Sequence, residues 1–206
     1  MAAPRHVCIL IFEDAEVLDV AGPFEVFSIA GRRDGLDPFR VTLAAGGTEV
    51  VTLRNGFRVT PHYSLAECPP IDILLVPGGP GSRRESGNPH VIEWIRDRAE
   101  RCELLLSVCS GALILAATGM LDGLEITTHA SAMPELARLA PNSKLREGVR
   151  FTDNGRILLS AGVSAGLDMS LEVVARLLGE DLAEEAAHYM EYHWNRNETG
   201  LPDVGL

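Results

Sequence analysis

The sequence predicts a single α/β domain whose doubly wound, mainly parallel β-sheet lies between layers of helices. Strand-like and helix-like segments alternate at short spacing along the whole chain. Several strand-like segments, such as residues 104–108, are continuous apolar runs, which is typical of strands buried on both faces of a parallel sheet. The chain has 206 residues and is 46% hydrophobic, enough to enclose one core over residues 1–206.

Apolar runs that end in turns predict the strands. These runs occupy residues 6–12, 39–45, 72–76, 104–108 and 125–129. Turn residues between short apolar segments also predict two hairpins. One joins residues 49–51 to 57–60 around Asn55-Gly56, and the other joins 149–151 to 156–160 around Asp153-Asn154-Gly155.

Apolar residues at helical spacing predict the helices. The first helix is expected to begin near Pro23 and to run to about Ala30, because proline fits the first turn of a helix. Asp19 then lies in the turn before it. The later helices are expected at residues 88–102, 112–118, 132–139, 167–178 and 182–192, and a loose tail at 195–206.

Charge and cysteine usage exclude several classes of function. The formal net charge is −11, which disfavours non-specific binding to nucleic acids or anionic membranes. No apolar run approaches the length of a membrane span. The four cysteines show no C-x-x-C spacing, so neither a zinc knuckle nor a thioredoxin motif is supported. Their even number is compatible with disulfides. Since no secretory leader precedes them, we expect a reducing, cytoplasmic setting.

Cys109 is the first candidate for chemistry. It follows the apolar run 104–108 and precedes the small-residue helix 112–118, so it occupies a strand-to-helix turn that resembles a nucleophile elbow. Backbone N–H groups and the helix dipole would stabilise a thiolate there. The alternative is a structural cysteine, because free cysteines are among the most buried residues.

Three further features follow strand-like runs. Asp19 comes after the first run, the glycine loop with Gly78 and Gly79 after the third, and His129 ends the fifth. Taken alone, Asp19 reads as a helix cap or turn residue, and the loop as a tight turn. In doubly wound sheets, however, ligands bind at the carboxyl ends of the strands. We therefore expect these residues to gather with Cys109 in one site.

Five motifs together resemble the ThiJ/PfpI superfamily, over roughly residues 5–194. They lie at residues 18–23, 76–81, 107–112, 127–129 and 160–168. The resemblance implies a flavodoxin-like sandwich with a nucleophile elbow. Within the superfamily the chain is most similar to the isocyanide hydratases and to the sensor domains of certain AraC-type regulators, because Asp19 stands in a Leu-Asp-x-x-Gly-Pro motif and Ser110 follows the cysteine. The intracellular-protease branch has histidine after the cysteine. Since the chain ends at Leu206, we expect no helix-turn-helix domain.

This resemblance implies a catalytic set of Cys109, Asp19 and Ser110. The Cys109 thiolate would attack an electrophilic carbon, and a partly protonated Asp19 would shuttle the proton. The N–H groups of Gly79 and Ser110 would stabilise negative charge. Gly78, His129 and Val163 would contribute to the substrate and oxyanion sites, with His129 in an orienting role.

Three functions remain open at this stage. They are an isocyanide hydratase, a glyoxalase or deglycase acting on reactive aldehydes, and a non-enzymatic redox or ligand sensor using the same cysteine. Ser110 and Asp19 favour the first over the second, in which the resemblance implies glutamate at the position of Asp19. The partner is expected to be a small-molecule substrate, without nucleic acid, membrane, metal or organic cofactor. By resemblance, a homodimer is expected.

Overall fold

The structure is a computed structural model that describes residues 3–32, 34–194, 196 and 200. The predicted loose tail at 195–206 lies outside these residues, apart from Arg196 and Gly200. The strands are β1 (Arg5–Leu10), β2 (Phe39–Ala45), β3 (Val51–Thr52), β4 (Arg58–Val59), β5 (Tyr63–Ser64), β6 (Ile73–Val76), β7 (Leu104–Val108), β8 (Glu125–Ile126), β9 (Lys144–Leu145), β10 (Phe151–Asp153) and β11 (Ile157–Ser160). The helices are α1 (Val17–Ile29), α2 (Ser82–Glu85), α3 (Pro89–Ala99), α4 (Gly111–Thr118), α5 (Met133–Leu139), α6 (Ala165–Leu178) and α7 (Glu180–Tyr189).

A mostly parallel sheet forms the centre of the fold, as predicted. Within the described part of the chain it has seven strands, in the order β10-β11-β7-β6-β1-β2-β5, and only β10 runs antiparallel to its neighbour. Every residue of β6 and β7 is buried, as their continuous apolar runs indicated. Helices α1, α6 and α7 pack together, whereas α2, α3 and α5 pack around α4. This gives the predicted α/β sandwich.

Two sequence predictions of secondary structure are wrong. The run 125–129 is a strand only at Glu125–Ile126, where it pairs with Lys144–Leu145 in a separate small sheet. Beyond Ile126, the hydroxyl of Thr128 donates to the carbonyl of Cys109 at 2.7 Å. The rest of the run is therefore bonded to the elbow instead of pairing with a strand. Helix α1 begins at Val17, and Pro23 lies inside it.

The early start of α1 has a simple physical explanation. Proline in a helix removes the single N–H that would bond to the carbonyl four residues earlier. At Pro23 the acceptor affected is the carbonyl of Asp19, in the first turn. Asp19 is therefore a fully buried helix residue rather than a residue of the preceding turn.

The parallel arrangement positions the candidate residues. The carboxyl ends of β1, β6, β7 and β11 meet at one edge of the sheet. The segments that leave these strands carry Asp19, the glycine loop, Cys109 and Val163, respectively. None of the helices in the described ranges is both long and apolar enough to cross a membrane.

Candidate active site

Cys109 occupies the turn between β7 and α4, in a left-handed backbone conformation with φ of 56°. This conformation is uncommon for a residue with a side chain and is typical of nucleophile elbows. Its N–H donates to the carbonyl of Ser160 at 3.1 Å, and its own carbonyl accepts from the Thr128 hydroxyl. These bonds hold the strained turn. The structure thus has the predicted elbow geometry.

Asp19 lies beside this turn, fully buried. Its Oδ2 accepts a hydrogen bond from the N–H of Gly78 at 3.0 Å. Within the described residues, its Oδ1 has no nitrogen or oxygen hydrogen-bond partner. Burial raises the pKa of Asp19 to about 7, and the Gly78 bond opposes this rise only in part. With this pKa, Asp19 can hold or release a proton near neutral pH.

The thiol of Cys109 and the carboxyl of Asp19 influence each other directly. Burial raises the pKa of Cys109 to about 12, and the negative charge of Asp19 is the next largest cause. The N–H of Ser110 favours the thiolate but does not offset these effects. Both effects disfavour the resting thiolate expected from the sequence. A proton acceptor next to Cys109 therefore favours its activation.

Ser110 fixes the glycine loop to the elbow. Its Oγ accepts from the N–H of Gly79 at 3.0 Å and from the hydroxyl of Ser82 at 2.9 Å. The Ser110 hydroxyl lies 3.1 Å from the Gly79 carbonyl, to which it can donate. The N–H of Gly79 is thus already engaged. This contradicts the expectation that it stabilises negative charge on a substrate, and leaves the N–H of Ser110, which faces the sulfur.

Gly78 brings the acid and the elbow together. A Cβ at this position would lie 2.5 Å from the backbone nitrogen of Ser110 and 2.9 Å from the Cβ of Cys109. No side chain fits there without displacing the elbow. The absence of a side chain therefore lets the Gly78 N–H reach Asp19 while its Cα packs against Cys109.

His129 lies close to the thiol of Cys109, and both residues line one cavity. It precedes a short 3-10 turn, Ala130–Ala132, and its Nδ1 accepts from the N–H of Ser131 at 3.2 Å. In the neutral ring the proton therefore lies on Nε2. A Cβ on Gly162 would overlap Cδ2 of the His129 ring and would lie 3.2 Å from the sulfur of Cys109. The ring and the thiol thus face each other across Gly162.

A cavity of about 170 Å³ opens at the sulfur. Asp19 and Gly78 do not line this cavity. Four charged or polar residues of the wall were not identified from the sequence, because they belong to turns and short helices without a recognisable motif: Glu16, Arg54, Arg83 and Ser131. The remaining lining residues are Gly79, Pro80, Cys109, Ser110, His129, Ala132 and Val163.

The described residues bring no three His, Cys, Asp or Glu side chains together in an arrangement that could hold a metal ion. The four cysteines are free thiols and are buried. The reactive groups that the site brings together are one thiol, one buried carboxyl and the imidazole of His129.

The model of the DJ-1/PfpI family matches residues 5–176 of the chain. An isonitrile hydratase of Pseudomonas putida is 28% identical over 186 residues, covering 89% of this chain and 76% of that protein. The transcriptional regulator GbdR of Pseudomonas aeruginosa is 26% identical over 204 residues, which are 98% of this chain. The chain spans about half of that regulator's length, 55%.

Two other proteins extend the comparison. The glutathione-independent glyoxalase DJR-1.2 of Caenorhabditis elegans is 27% identical over 184 residues, covering 88% of this chain and 93% of that protein. A ThiJ/PfpI family protein from Pseudomonas syringae has a crystal structure that superposes with a TM-score of 0.85, at 28% identity. That superposition covers 99% of this chain and 80% of the other.

Proposed function

The chain belongs to the DJ-1/PfpI family, and we propose that within it the protein hydrates isocyanides to N-substituted formamides through a covalent bond to Cys109. The observation that carries this proposal is the fully buried carboxyl of Asp19, which the Gly78 N–H holds beside the thiol of Cys109 and whose pKa is raised to about 7. An isocyanide carbon must accept both a nucleophile and a proton. One thiol and one adjacent proton carrier supply both.

The first half of the reaction forms a thioimidate. Ionised Asp19 takes the proton of the Cys109 thiol, and the thiolate attacks the terminal carbon of the isocyanide. Asp19 then gives that proton to the same carbon, which yields an R–N=CH–S bond to the enzyme. The N–H of Ser110 stabilises the thiolate as it forms, together with the N-terminus of α4.

The second half releases the formamide. Ionised Asp19 accepts a proton from water, whose oxygen adds to the thioimidate carbon as a hydroxyl group, and Asp19 passes that proton to the nitrogen. The C–S bond then breaks as the hydroxyl group gives its proton to Asp19, which returns it to Cys109, and R–NH–CHO leaves. The sum is one isocyanide and one water converted to one formamide. In this scheme His129 orients the substrate or the water at the mouth of the site.

Two other functions stay as competitors. Similarity to a glyoxalase at comparable identity favours turnover of a reactive aldehyde as the second candidate. A sensor that relies on spontaneous oxidation of Cys109 receives less support. Susceptibility to oxidation follows thiolate character and exposure, whereas this sulfur is buried and its pKa is raised.

A substrate comparison tests the proposal. Wild-type protein and Cys109→Ala are incubated with methyl isocyanide, with isocyanoacetate or with methylglyoxal, and formamide or lactate is quantified by NMR. We expect formamide from the wild type only. Lactate instead of formamide would transfer the assignment to the glyoxalase class, and the absence of both products would favour a sensor.

A further inference from the structure

The wall of the cavity at Cys109 carries more arginines than carboxylates. Two arginines, Arg54 and Arg83, line it, and among the described lining residues Glu16 is the only carboxylate. Both guanidinium side chains remain about half exposed, at 50% and 47%. The whole chain, by contrast, has a formal net charge of −11. A local excess of arginine at the reacting sulfur is therefore not a consequence of overall composition.

The ion pairs of these arginines position them without using all their donors. Arg54 contacts Glu16 through Nη1 at 2.8 Å. Arg83 contacts Glu135, which lies outside the cavity wall, through Nε at 2.8 Å. In the hydrogen bonds of the described residues, the terminal nitrogens of Arg83 have no partner. A guanidinium presents five N–H donors in a planar fork that suits a carboxylate.

The elbow is a further source of positive electrostatic potential at this cavity. Helix α4 begins at Gly111, two residues after the nucleophile, so its positive end points at the same space. The cavity of about 170 Å³ is smaller than the usual pocket for a drug-sized ligand, and therefore takes a compound of few heavy atoms. Small size, two arginines and a helix N-terminus together favour a compact anion over a neutral alkyl group.

We propose that this cavity selects small anionic substrates, in which a carboxylate binds Arg54 and Arg83 while the electrophilic carbon meets Cys109. For an isocyanide hydratase, this substrate class is the isocyano-carboxylates. We call Arg54 and Arg83 together the anion site. The hydration of such substrates rests on the proposed function, but the anion site does not. It can be tested with reagents that need no turnover.

Alkylation of Cys109 provides that test. Iodoacetate and iodoacetamide modify the same sulfur by the same displacement and differ in that one carries a carboxylate and the other a neutral amide. A variant that alters the fraction of Cys109 present as thiolate changes both rate constants by the same factor. The ratio of the two rate constants is therefore independent of that fraction. The ratio is normalised to that of 2-mercaptoethanol, a neutral thiol, and the Cys109 peptide is followed by mass spectrometry.

We expect the normalised ratio to favour iodoacetate by at least about fivefold at low salt, as for one incompletely screened charge pair, and to fall as salt is added. Arg83→Gln and Arg54→Gln should each lower it, and Arg83→Lys should retain most of it. The matched control is Arg101→Gln, which removes the same charge from an exposed residue before β7, at the other end of that strand. It should leave the ratio unchanged.

Turnover supplies the second arm. Isocyanoacetate and its methyl ester differ only in the charge, and we expect the free acid to have the higher kcat/KM, with the difference reduced in Arg83→Gln. The anion site is overturned if the normalised alkylation ratio is near one and no arginine variant changes it. In that case, hydration of the neutral ester would still support the proposed function. A raised ratio without turnover of either isocyanide would instead reject the hydratase and keep the anion site.

Discussion

The N–H of Gly78 donates to Oδ2 of Asp19 at 3.0 Å, and this single bond holds a fully buried carboxyl against the nucleophile. One backbone donor is enough to orient the carboxyl but not enough to keep it ionised, because burial still raises its pKa to about 7. The carboxyl of Asp19 is therefore held in place and can still titrate. A group that must both accept and return a proton needs both properties.

The pH dependence of activity should reflect this pair. Activation needs an ionised Asp19 beside a protonated Cys109, so the pair must carry one proton in total. Protonation of Asp19 as well would abolish activity. We expect kcat/KM to rise as pH increases through about 7 and then to stay level to at least pH 9, since the pKa of Cys109 is about 12. A steady-state profile measures this, and activity that falls as pH rises through 7 would contradict the assigned roles.

The same carboxyl should destabilise the fold at high pH. Because its pKa in the folded protein is raised above its unfolded value, the folded state binds more protons between about pH 4 and pH 7. Stability from this group is full below that window and is lost as pH rises through it. The loss amounts to at most roughly 4 kcal/mol, from about three pKa units.

Asp19→Asn isolates this effect. The amide keeps an oxygen acceptor for Gly78 but does not ionise, so the variant should be more stable than the wild type at pH 8 and similar to it near pH 4. Urea unfolding at both pH values measures the difference. Its kcat/KM should fall by about 10²–10⁴-fold, the usual contribution of general acid–base catalysis. Equal stability at pH 8 would show that the carboxyl is not buried in ionised form.

Gly78→Ala should damage the site through geometry alone. Its methyl group would lie 2.5 Å from the backbone nitrogen of Ser110, so either the loop or the elbow must move. We expect roughly 1–3 kcal/mol of destabilisation, typical of overpacking, and a large loss of kcat. Gly46→Ala is the matched control, because nothing lies within 4 Å of its new methyl group. If Gly78→Ala and Gly46→Ala had the same stability and the same kcat, Gly78 could not lie as close to Ser110 as described.

Ser110→Ala should distinguish a positioning role from a catalytic one. The variant loses the hydroxyl that joins Gly79 and Ser82 to the elbow, but it keeps the N–H that faces the sulfur. We expect lower stability, by about 1–3 kcal/mol for the partners left unpaired, and lower kcat. The inflection of the pH profile near 7 should remain, because Asp19 is untouched. A shifted inflection would mean that Ser110 takes part in the proton transfer.

The sheet and the elbow could be predicted from the sequence because both depend on local patterns. Strands buried on both faces leave continuous apolar runs, and β2 and β7 have the predicted bounds. The start of α1 was missed because Pro23 indicates an N-terminus by preference, whereas packing tolerates it inside the helix.

The charged wall of the cavity could not be predicted in the same way. Arg54 lies in a 3-10 turn and Arg83 in a four-residue helix, and only tertiary folding brings them to Cys109. The raised pKa of Cys109 was missed for a related reason: a helix N-terminus is visible in the sequence, but the depth of burial that outweighs it is not.

The covalent intermediate gives the most direct test of the account, because Asp19 and Cys109 must act together to form it. Wild-type protein is mixed with excess isocyanide, quenched with acid within the first turnovers, and analysed by intact-mass and peptide mass spectrometry. We expect the Cys109 peptide to gain the mass of one whole isocyanide, and Asp19→Asn to show little of this adduct. Formamide production by Cys109→Ala, or an adduct that forms equally well in Asp19→Asn, would contradict the mechanism.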